Sequence, residues 1–267
     1  MNLRLTNKVA LITGTNNPQG IGATTALTFA SEGVKVVLVY KKMQFKYDES
    51  QAEKNGVDRY HKALNGGMED VEKKLRFLNA DYLILESDIS NERCVKEIFY
   101  SAIERFGKID ILVNNAATYG DNDTIETLTQ DTVDLTFAVN VRGTLLMTHE
   151  FIMRRGDFGR VINLSTDAAQ VFAGQITYGA SKATIEAFTR SIAMEVGKHG
   201  ITVNCVAPGP TQTGWIDDEL EETCKKIIPF GKLVQPRDIA DTIIFLASER
   251  AAMLTGQVIK VSGGHAL

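Results

Sequence analysis

The chain has 267 residues, which is long enough for one α/β domain with a large core and short for two. A hydrophobic fraction of 44% and a charged fraction of 23% are those of an ordinary globular protein. The formal net charge of -4 gives no reason to expect a nucleic-acid partner, because nucleic-acid binding calls for a clustered basic face.

The cysteines and the N-terminal segment bear on the compartment. Cys94, Cys205 and Cys224 lie far apart, and this odd, unpatterned set argues against a disulfide framework and suits a reducing cytosol. No cysteine or histidine pair has the spacing of metal ligands, so we expect no metal. The first residues lack the apolar run of a signal peptide, and no apolar run is long enough to span a bilayer. We therefore expect a cytoplasmic protein without a membrane partner.

Short apolar runs alternate with helical patterns along the chain. The apolar runs predict strands at 8–14, 34–40, 82–88, 109–117, 159–165, 201–208 and 256–263. Helical patterns occupy 23–33, 91–107, 131–155, 177–199 and 236–249. Strands rich in Val, Ile and Leu on both faces are typical of a parallel sheet covered by helices on each side. The predicted fold is α/β, a single doubly wound domain of the Rossmann type over residues 1–267.

The segment from Lys41 to Asp81 is polar and long for a strand-to-strand crossover. We expect residues 42–60 to be a solvated excursion, because surface loops tolerate insertions at little cost in free energy. The second half predicts a packed helix, since apolar residues recur at helical spacing at Leu64, Met68, Val71, Leu75 and Leu78.

The first predicted strand runs directly into TGTNNPQGIG (13–22), which precedes a helix. Glycines let the chain turn tightly here and bring its backbone close to a pyrophosphate. The helix N-terminus then offers N–H groups and the positive end of its dipole to the phosphates. A glycine-rich turn without a ligand is the alternative, but the position between strand and helix favours a dinucleotide site.

The end of the second strand bears on the choice of cofactor. An Asp or Glu there would bond the adenosine ribose and repel a 2′-phosphate. Tyr40 occupies that position, followed by Lys41 and Lys42. Two cations without a carboxylate favour NADP(H) over NAD(H) through charge-assisted hydrogen bonds, unless both lysines are merely solvated.

The motif YGASK (178–182) opens a predicted helix. Tyr178 and Lys182 stand four residues apart and therefore share one face of that helix. A tyrosine hydroxyl, with a pKa near ~10, is a weak acid at neutral pH. A nearby ammonium would favour the phenolate and lower the pKa of the hydroxyl toward the working range. On its own this spacing would be a surface coincidence. It becomes evidence for a catalytic pair only together with the motifs around it.

Taken together, these motifs make the sequence resemble the short-chain dehydrogenase/reductase superfamily along nearly the whole chain. The pieces that carry the resemblance, in order, are the loop at 13–22, Asp88, NNAA (114–117), Asn140, INLST (162–166), YGASK (178–182), APGPTQT (207–213) and the tail at 235–264. This resemblance implies hydride transfer between NADP(H) and a small-molecule carbonyl or secondary alcohol. It also implies a homotetramer, and a substrate lid at about 209–231.

The resemblance also implies roles for individual residues. Tyr178 would act as the general acid in ketone reduction, Lys182 would lower its pKa and hold the nicotinamide ribose, and Asn140 would position a water. The residues implied in cofactor binding are Gly14, Asn16, Gly20, Ile21, Gly22, Tyr40, Lys41, Lys42, Asp88, Ile89, Asn114, Ala116, Lys182, Pro208, Gly209, Thr211 and Thr213. Asn140 and Asn114 could instead be structural caps.

The hydroxyl that polarises the carbonyl has two candidates. Counting forward along the strand from Gly159 selects Thr166, whereas counting backward from Tyr178 selects Ser165. A loop absorbs a deletion more easily than a buried strand absorbs a register shift, which favours Thr166.

The first loop is two residues longer than the family's usual form, and this length resembles the enoyl-thioester reductases of the same superfamily. That branch places its tyrosine further from its lysine than Tyr178 is from Lys182, so carbonyl reduction is preferred. Enoyl reduction and a non-catalytic dinucleotide sensor remain the alternatives.

Overall fold

The computed structural model describes residues 3–120, 123–156 and 158–266. Its strands are β1 (Val9–Thr13), β2 (Lys35–Tyr40), β3 (Tyr82–Glu86), β4 (Ile111–Asn114), β5 (Gly159–Leu164), β6 (Ile201–Pro208) and β7 (Val258–Val261). They form one seven-stranded sheet in the order β3-β2-β1-β4-β5-β6-β7. Every neighbouring pair is parallel. The strand order reverses between β1 and β4, which confirms the predicted doubly wound fold and places the ligand crevice at their carboxyl ends.

Helices cover both faces of this sheet. They are α1 (Ile21–Ser31), α2 (Val57–Asn65), α3 (Glu69–Phe77), α4 (Glu92–Phe106), α5 (Gln130–Phe137), α6 (Thr144–Met153), α7 (Ile176–Val196), α8 (Asp218–Ile227) and α9 (Pro236–Ala247). One core lies on the side of α1, α3 and α9, and a second lies on the side of α4, α6 and α7. No helix in the described ranges is long and apolar enough to cross a membrane.

The helix predicted at 131–155 is interrupted. Residues Ala138–Gly143 form a π-helical turn between α5 and α6. Such turns widen the backbone ladder by one residue and are common at functional sites. The buried Asn140 lies within this turn.

The prediction for the Lys41–Asp81 segment is only partly right. Residues 42–56 carry no regular helix or strand in the described chain, as expected for an excursion. The continuous helix predicted for the second half is instead two short helices, α2 and α3, separated at Gly66 and Gly67. Helix α3 packs into the core through Met68, Val71 and Leu75. The other two residues of the pattern do not: Leu64 belongs to α2, and Leu78 is exposed.

Candidate active site

The glycine loop depends on two positions where no other residue fits. Gly14 has a φ of 72°, in the left-handed region that favours glycine. A Cβ on Gly22 would lie 2.3 Å from the carbonyl oxygen of Gly14. The tight turn between β1 and α1 therefore requires both glycines, as the sequence predicted.

A side chain from the neighbouring strand holds this loop in place. The Asn115 amide donates to the carbonyl oxygens of Thr13 at 2.8 Å and of Gly14 at 2.9 Å. The Thr13 hydroxyl in turn accepts from the backbone N–H groups of Asn115 and Ala116, each at 3.0 Å. Asn115 was missed as a site residue. Its place in the NNAA motif, directly after β4, was the available signal. Its contact with the glycine loop could not be read from the sequence, because β4 lies beside β1 only once the sheet has formed.

The N-terminus of α1 fits an anionic group. Gly20 is its N-cap, no side chain caps the exposed N–H groups, and its first turn, beginning at Ile21, carries no acidic residue. Helix N-termini with these properties bind phosphate through N–H groups and the helix dipole. The residues present therefore fit the pyrophosphate of a dinucleotide cofactor.

Two of the three side chains at the end of β2 already bind carboxylates of the protein itself. Lys41 forms an ion pair of 2.5 Å with Asp88. Tyr40 donates its hydroxyl to Glu86 at 3.1 Å. Lys42 is exposed and has no hydrogen bond or ion pair to any described residue. Of the two lysines singled out by sequence, only Lys42 thus carries an uncompensated charge.

Two asparagines in the loop join it to distant segments. The Asn16 amide donates to the carbonyl oxygens of Leu64 at 2.8 Å and Gly66 at 3.3 Å. The Asn17 amide donates to the carbonyl oxygen of Thr213 at 2.9 Å. The extra length of the first loop is therefore occupied by side chains that bind the 41–81 segment and the segment after β6.

The segment after β6 lies close to the end of the chain. Gly209 donates its N–H to Val261 at 3.0 Å, and a Cβ there would lie 2.8 Å from Ser262 Cα. The Thr211 hydroxyl donates to the Gly209 carbonyl oxygen at 2.7 Å. Gly209 is thus required for the close approach of this segment to the end of the chain.

Asp167 and His265 form a pair at this edge that sequence analysis missed. The Asp167 carboxylate lies 2.8 Å from His265 Nδ1, and burial raises the pKa of the carboxyl group. The pair anchors the C-terminal segment directly beside Thr166. Its two members are nearly a hundred residues apart, so no sequence spacing indicated it.

Helix α7 presents Tyr178 and Lys182 on one face, as predicted. The Lys182 ammonium lies 5.5 Å from the centroid of the Tyr178 ring. It donates to the carbonyl oxygen of Leu164 at 2.8 Å and is buried. Phe172 packs edge-on against Tyr178, with centroids 5.6 Å apart. The two groups are neighbours, but the ammonium lies over the ring and does not reach the hydroxyl through a hydrogen bond.

The electrostatics of this pair differ from the expectation. Burial raises the pKa of the Tyr178 hydroxyl to about 12, with a smaller contribution from Tyr119. Burial also lowers the pKa of the Lys182 ammonium to about 8. The expected lowering of the Tyr178 pKa is therefore not seen, because desolvation disfavours the charged form of both groups. In this state Tyr178 is a protonated donor at neutral pH.

Ser165 and Thr166 point to different surroundings. The buried Ser165 hydroxyl donates to Glu186 at 2.8 Å, within α7. Thr166, two residues beyond the end of β5, is only partly buried. The N–H groups of Ser165 and Asp167 both donate to the backbone of β6, so the chain stays extended here and the Thr166 side chain is directed away from that of Ser165.

Asn140 and Asn114 are both engaged in side-chain hydrogen bonds. The Asn140 amide donates to the Thr118 carbonyl oxygen at 2.9 Å and to Ser181 at 3.0 Å, and its oxygen accepts from Thr118 N–H at 2.8 Å. The Asn114 amide donates to Thr148 and Asn163. Asn114 Oδ1 is buried with no partner in the described chain. The Asn140 side chain thus joins the loop after β4 to α7.

Ile89 was also predicted to contact the cofactor. It is buried and lies against Gly143, where a Cβ would come within 3.0 Å of its side chain. The loop after β3 is therefore packed closely on the π-helical turn. This contact sets the position of Ile89 next to Asp88.

The comparisons with known proteins agree with this arrangement. A family model described as enoyl-(acyl carrier protein) reductase matches residues 50–266. A solved structure of a short-chain dehydrogenase/reductase from Serratia marcescens superimposes with a TM-score of 0.83 at 28% identity, covering 98% of this chain and 99% of that one. The chain belongs to the short-chain dehydrogenase/reductase superfamily of oxidoreductases.

Two curated relatives are similar over almost their whole length. The (2S)-[(R)-hydroxy(phenyl)methyl]succinyl-CoA dehydrogenase subunit BbsD of Thauera aromatica is 37% identical, over 98% of this chain and 97% of the relative. A 3-oxoacyl-[acyl-carrier-protein] reductase of Synechocystis is 33% identical, over 97% of each. Within the superfamily the chain is therefore similar to 3-oxoacyl reductases.

Proposed function

We propose that this protein reduces a ketone to a secondary alcohol with NADPH, or runs the reverse reaction, and that Tyr178 is its general acid. The observation that carries the proposal is the shared face of α7 on which Tyr178 and Lys182 meet at the carboxyl edge of β5. The bound nicotinamide would supply the hydride to the carbonyl carbon. The glycine loop and the N-terminus of α1 would hold its pyrophosphate.

The chain's own residues would handle the proton and the carbonyl oxygen. Tyr178, protonated at neutral pH, donates its proton to that oxygen as negative charge develops on it. The Thr166 hydroxyl donates a hydrogen bond to the same oxygen and orients the ketone. Lys182 lies behind Tyr178 as a buried cation that stabilises the resulting phenolate. Asn140 would position the water through which the proton is restored.

Enoyl reduction is the second candidate, favoured by the description of the matching family model. A spectrophotometric assay of NADPH oxidation with a ketone panel, an enoyl-thioester panel and no substrate separates the candidates. Turnover confined to ketones supports the proposal. Turnover confined to enoyl thioesters would replace it, and binding of NADPH without turnover of either panel would indicate a sensor.

The pH dependence of ketone reduction follows from the two pKa values. Tyr178, with a pKa of about 12, stays protonated across the accessible range. Lys182, with a pKa of about 8, is cationic below that pH and neutral above it. We therefore expect kcat/KM for reduction to be level in acid and neutral solution and to fall as pH rises through about 8. A profile that stays level to pH ~10, the ordinary range of lysine, would contradict this role of Lys182.

The preference for NADPH over NADH is expected to depend mainly on Lys42. Its charge is uncompensated, whereas Lys41 is paired with Asp88. Lys42→Ala should weaken NADPH binding by about 1.5–3 kcal/mol, the value of a hydrogen bond to a charged group, and leave NADH binding unchanged. Isothermal titration with both cofactors measures this, and Lys41→Ala is the matched control. If the variant that carries both Lys41→Ala and Lys42→Ala still prefers NADPH as strongly as wild type, other residues bind the 2′-phosphate.

We also propose a homotetramer, from the family resemblance. Exposed apolar side chains on α5, α6 and α7 support an interface there, namely Leu135, Met153 and Met194. Multi-angle light scattering at micromolar concentration should report four chains, and a monomer would contradict the proposal.

A further inference from the structure

The carboxylate of Asp167 is buried one residue away from the proposed donor to the carbonyl oxygen, Thr166. Its side chain is only 3% exposed. A carboxylate only accepts hydrogen bonds, so the imidazole Nδ1 of His265, 2.8 Å away, is the group that donates to it. A buried acceptor that loses its donor is costly in free energy, so the pair holds firmly. No step of the proposed mechanism uses either side chain.

The segment after β6 confines the same residue. Asp167 Oδ2 lies 3.0 Å from the place that a Cβ on Gly209 would occupy, so the glycine leaves room for the carboxylate. The Asp167 N–H donates to the Pro208 carbonyl oxygen at 2.9 Å. The main chain of Asp167 is therefore held by β6, and its side chain is held by His265.

The imidazole donor is itself fixed in a turn after β7. The His265 N–H donates to the Ser262 carbonyl oxygen at 3.2 Å, and the Ser262 hydroxyl donates to the His265 carbonyl oxygen at 3.0 Å. Ser262 directly follows β7, which pairs with β6 in the sheet. His265 is therefore fixed relative to the sheet, and through it the Asp167 side chain is fixed as well.

The backbone on either side of Thr166 sets the place of its hydroxyl. The Thr166 carbonyl oxygen accepts from Ala169 N–H at 3.1 Å, and the N–H groups of its two neighbours donate to β6. Along this extended stretch the Asp167 side chain is directed away from that of Thr166, so it acts on the hydroxyl only through the main chain. A misplacement of about 1 Å can cost about 10²-fold in rate, so the position of this backbone matters for the reaction.

We propose that His265 is a positioning residue, whose hydrogen bond to Asp167 fixes the backbone that presents the Thr166 hydroxyl to the carbonyl oxygen. This inference rests on the proposed ketone reductase function and adds to it a residue from the segment after β7. His265 touches neither substrate nor cofactor in this role and acts only through Thr166. A pair that merely anchored this segment would affect stability, with no effect that depends on the presence of the Thr166 hydroxyl.

The test is a double-mutant cycle on kcat for ketone reduction. We expect His265→Ala to lower kcat about tenfold in the wild-type background and less than about twofold in the Thr166→Ala background, because the group that it positions is then absent. Binding of NADPH, measured by fluorescence titration, should be unchanged. His199→Ala, at an exposed histidine, is the matched control and should lower kcat in neither background.

Two conservative variants test which imidazole nitrogen matters. In asparagine the amide nitrogen is bonded to Cγ, as Nδ1 is in histidine, whereas in glutamine it lies one atom further along, as Nε2 does. The contact to Asp167 is made through Nδ1. His265→Asn should therefore recover most of kcat, and His265→Gln should behave like His265→Ala.

Each outcome supports or overturns the assignment. A loss of kcat that depends on Thr166 and is recovered by asparagine supports it. An equal loss in both backgrounds, no loss in the wild-type background, or equal activity of the asparagine and glutamine variants overturns it. Melting temperatures of all variants are measured, and kinetics are run well below them, so that unfolding does not contribute to the change in kcat.

Failure of this inference is distinguishable from failure of the proposed function. If the wild-type protein reduces no ketone, the proposed function fails and the inference falls with it. If the wild type reduces ketones but Thr166→Ala is as active as the wild type, the role of His265 is overturned while Tyr178 keeps its role as general acid.

Discussion

Tyr178→Phe should lower kcat for ketone reduction by about 10²–10⁴-fold, the range for loss of a general acid. The Tyr178 hydroxyl would donate the proton to the carbonyl oxygen, and no other residue of the proposed mechanism takes that role. The ring remains, so its edge-on contact with Phe172 is retained. Steady-state kinetics with a ketone and NADPH measure the loss.

Cofactor affinity should be nearly unchanged in Tyr178→Phe, because the pyrophosphate would be held by the glycine loop and not by α7. A fluorescence titration with NADPH checks this. Tyr100→Phe, at an exposed position on α4, is the control for the loss of a hydroxyl and should leave kcat unchanged. Residual turnover above about a tenth of wild type, a barrier change of under ~1.4 kcal/mol, would remove Tyr178 from the role of general acid.

Thr166→Ala is expected to have the second-largest effect, a loss of about 10²–10³-fold in kcat, comparable with removal of one donor to a developing oxyanion. The reason is structural. Thr166 lies just beyond β5 and is only partly buried, whereas the Ser165 hydroxyl is committed to Glu186. The two candidates that sequence counting left open are therefore distinguished by the direction of their side chains.

Ser165→Ala is the matched control for this prediction. It removes the hydrogen bond to Glu186 and should cost about 1 kcal/mol of unfolding free energy, with little change in kcat. Denaturant unfolding and steady-state kinetics on both variants measure the two quantities. A larger kcat loss in Ser165→Ala than in Thr166→Ala would reverse the assignment, and two mild effects would exclude both.

The sheet and its helices could be predicted because their signals are local. The apolar runs at β1, β2, β4, β5 and β6 are buried nearly throughout, and their hydrophobicity identifies them without knowledge of their neighbours. The glycine loop was equally predictable, since Gly14 and Gly22 meet a steric demand set by a strand and helix adjacent in sequence.

The insertion shows where local signals end. The spacing of Met68, Val71 and Leu75 correctly indicated a packed helix. It did not indicate α2, because the contacts that hold α2 come from Asn16 and Gly214, which are remote in sequence. Most residues of α2 and of the loop before it are polar or charged, so a solvated excursion was the natural expectation for residues 42–60.

The sequence by itself determined the fold and the pairing of Tyr178 with Lys182, since these depend on hydrophobic periodicity, glycine sterics and a four-residue helical spacing. Its motifs, taken in order, also identified the superfamily by resemblance. Only the tertiary structure decided the environment of those groups. Burial raises the pKa of Tyr178 and lowers that of Lys182, opposite to the expectation for the tyrosine, because desolvation depends on everything packed around a group. The pairing of Lys41 with Asp88 and the direction of Ser165 toward Glu186 likewise join residues from separate elements. The same holds for helix α2, which is joined to the glycine loop and to the segment after β6 by hydrogen bonds that no spacing along the chain encodes.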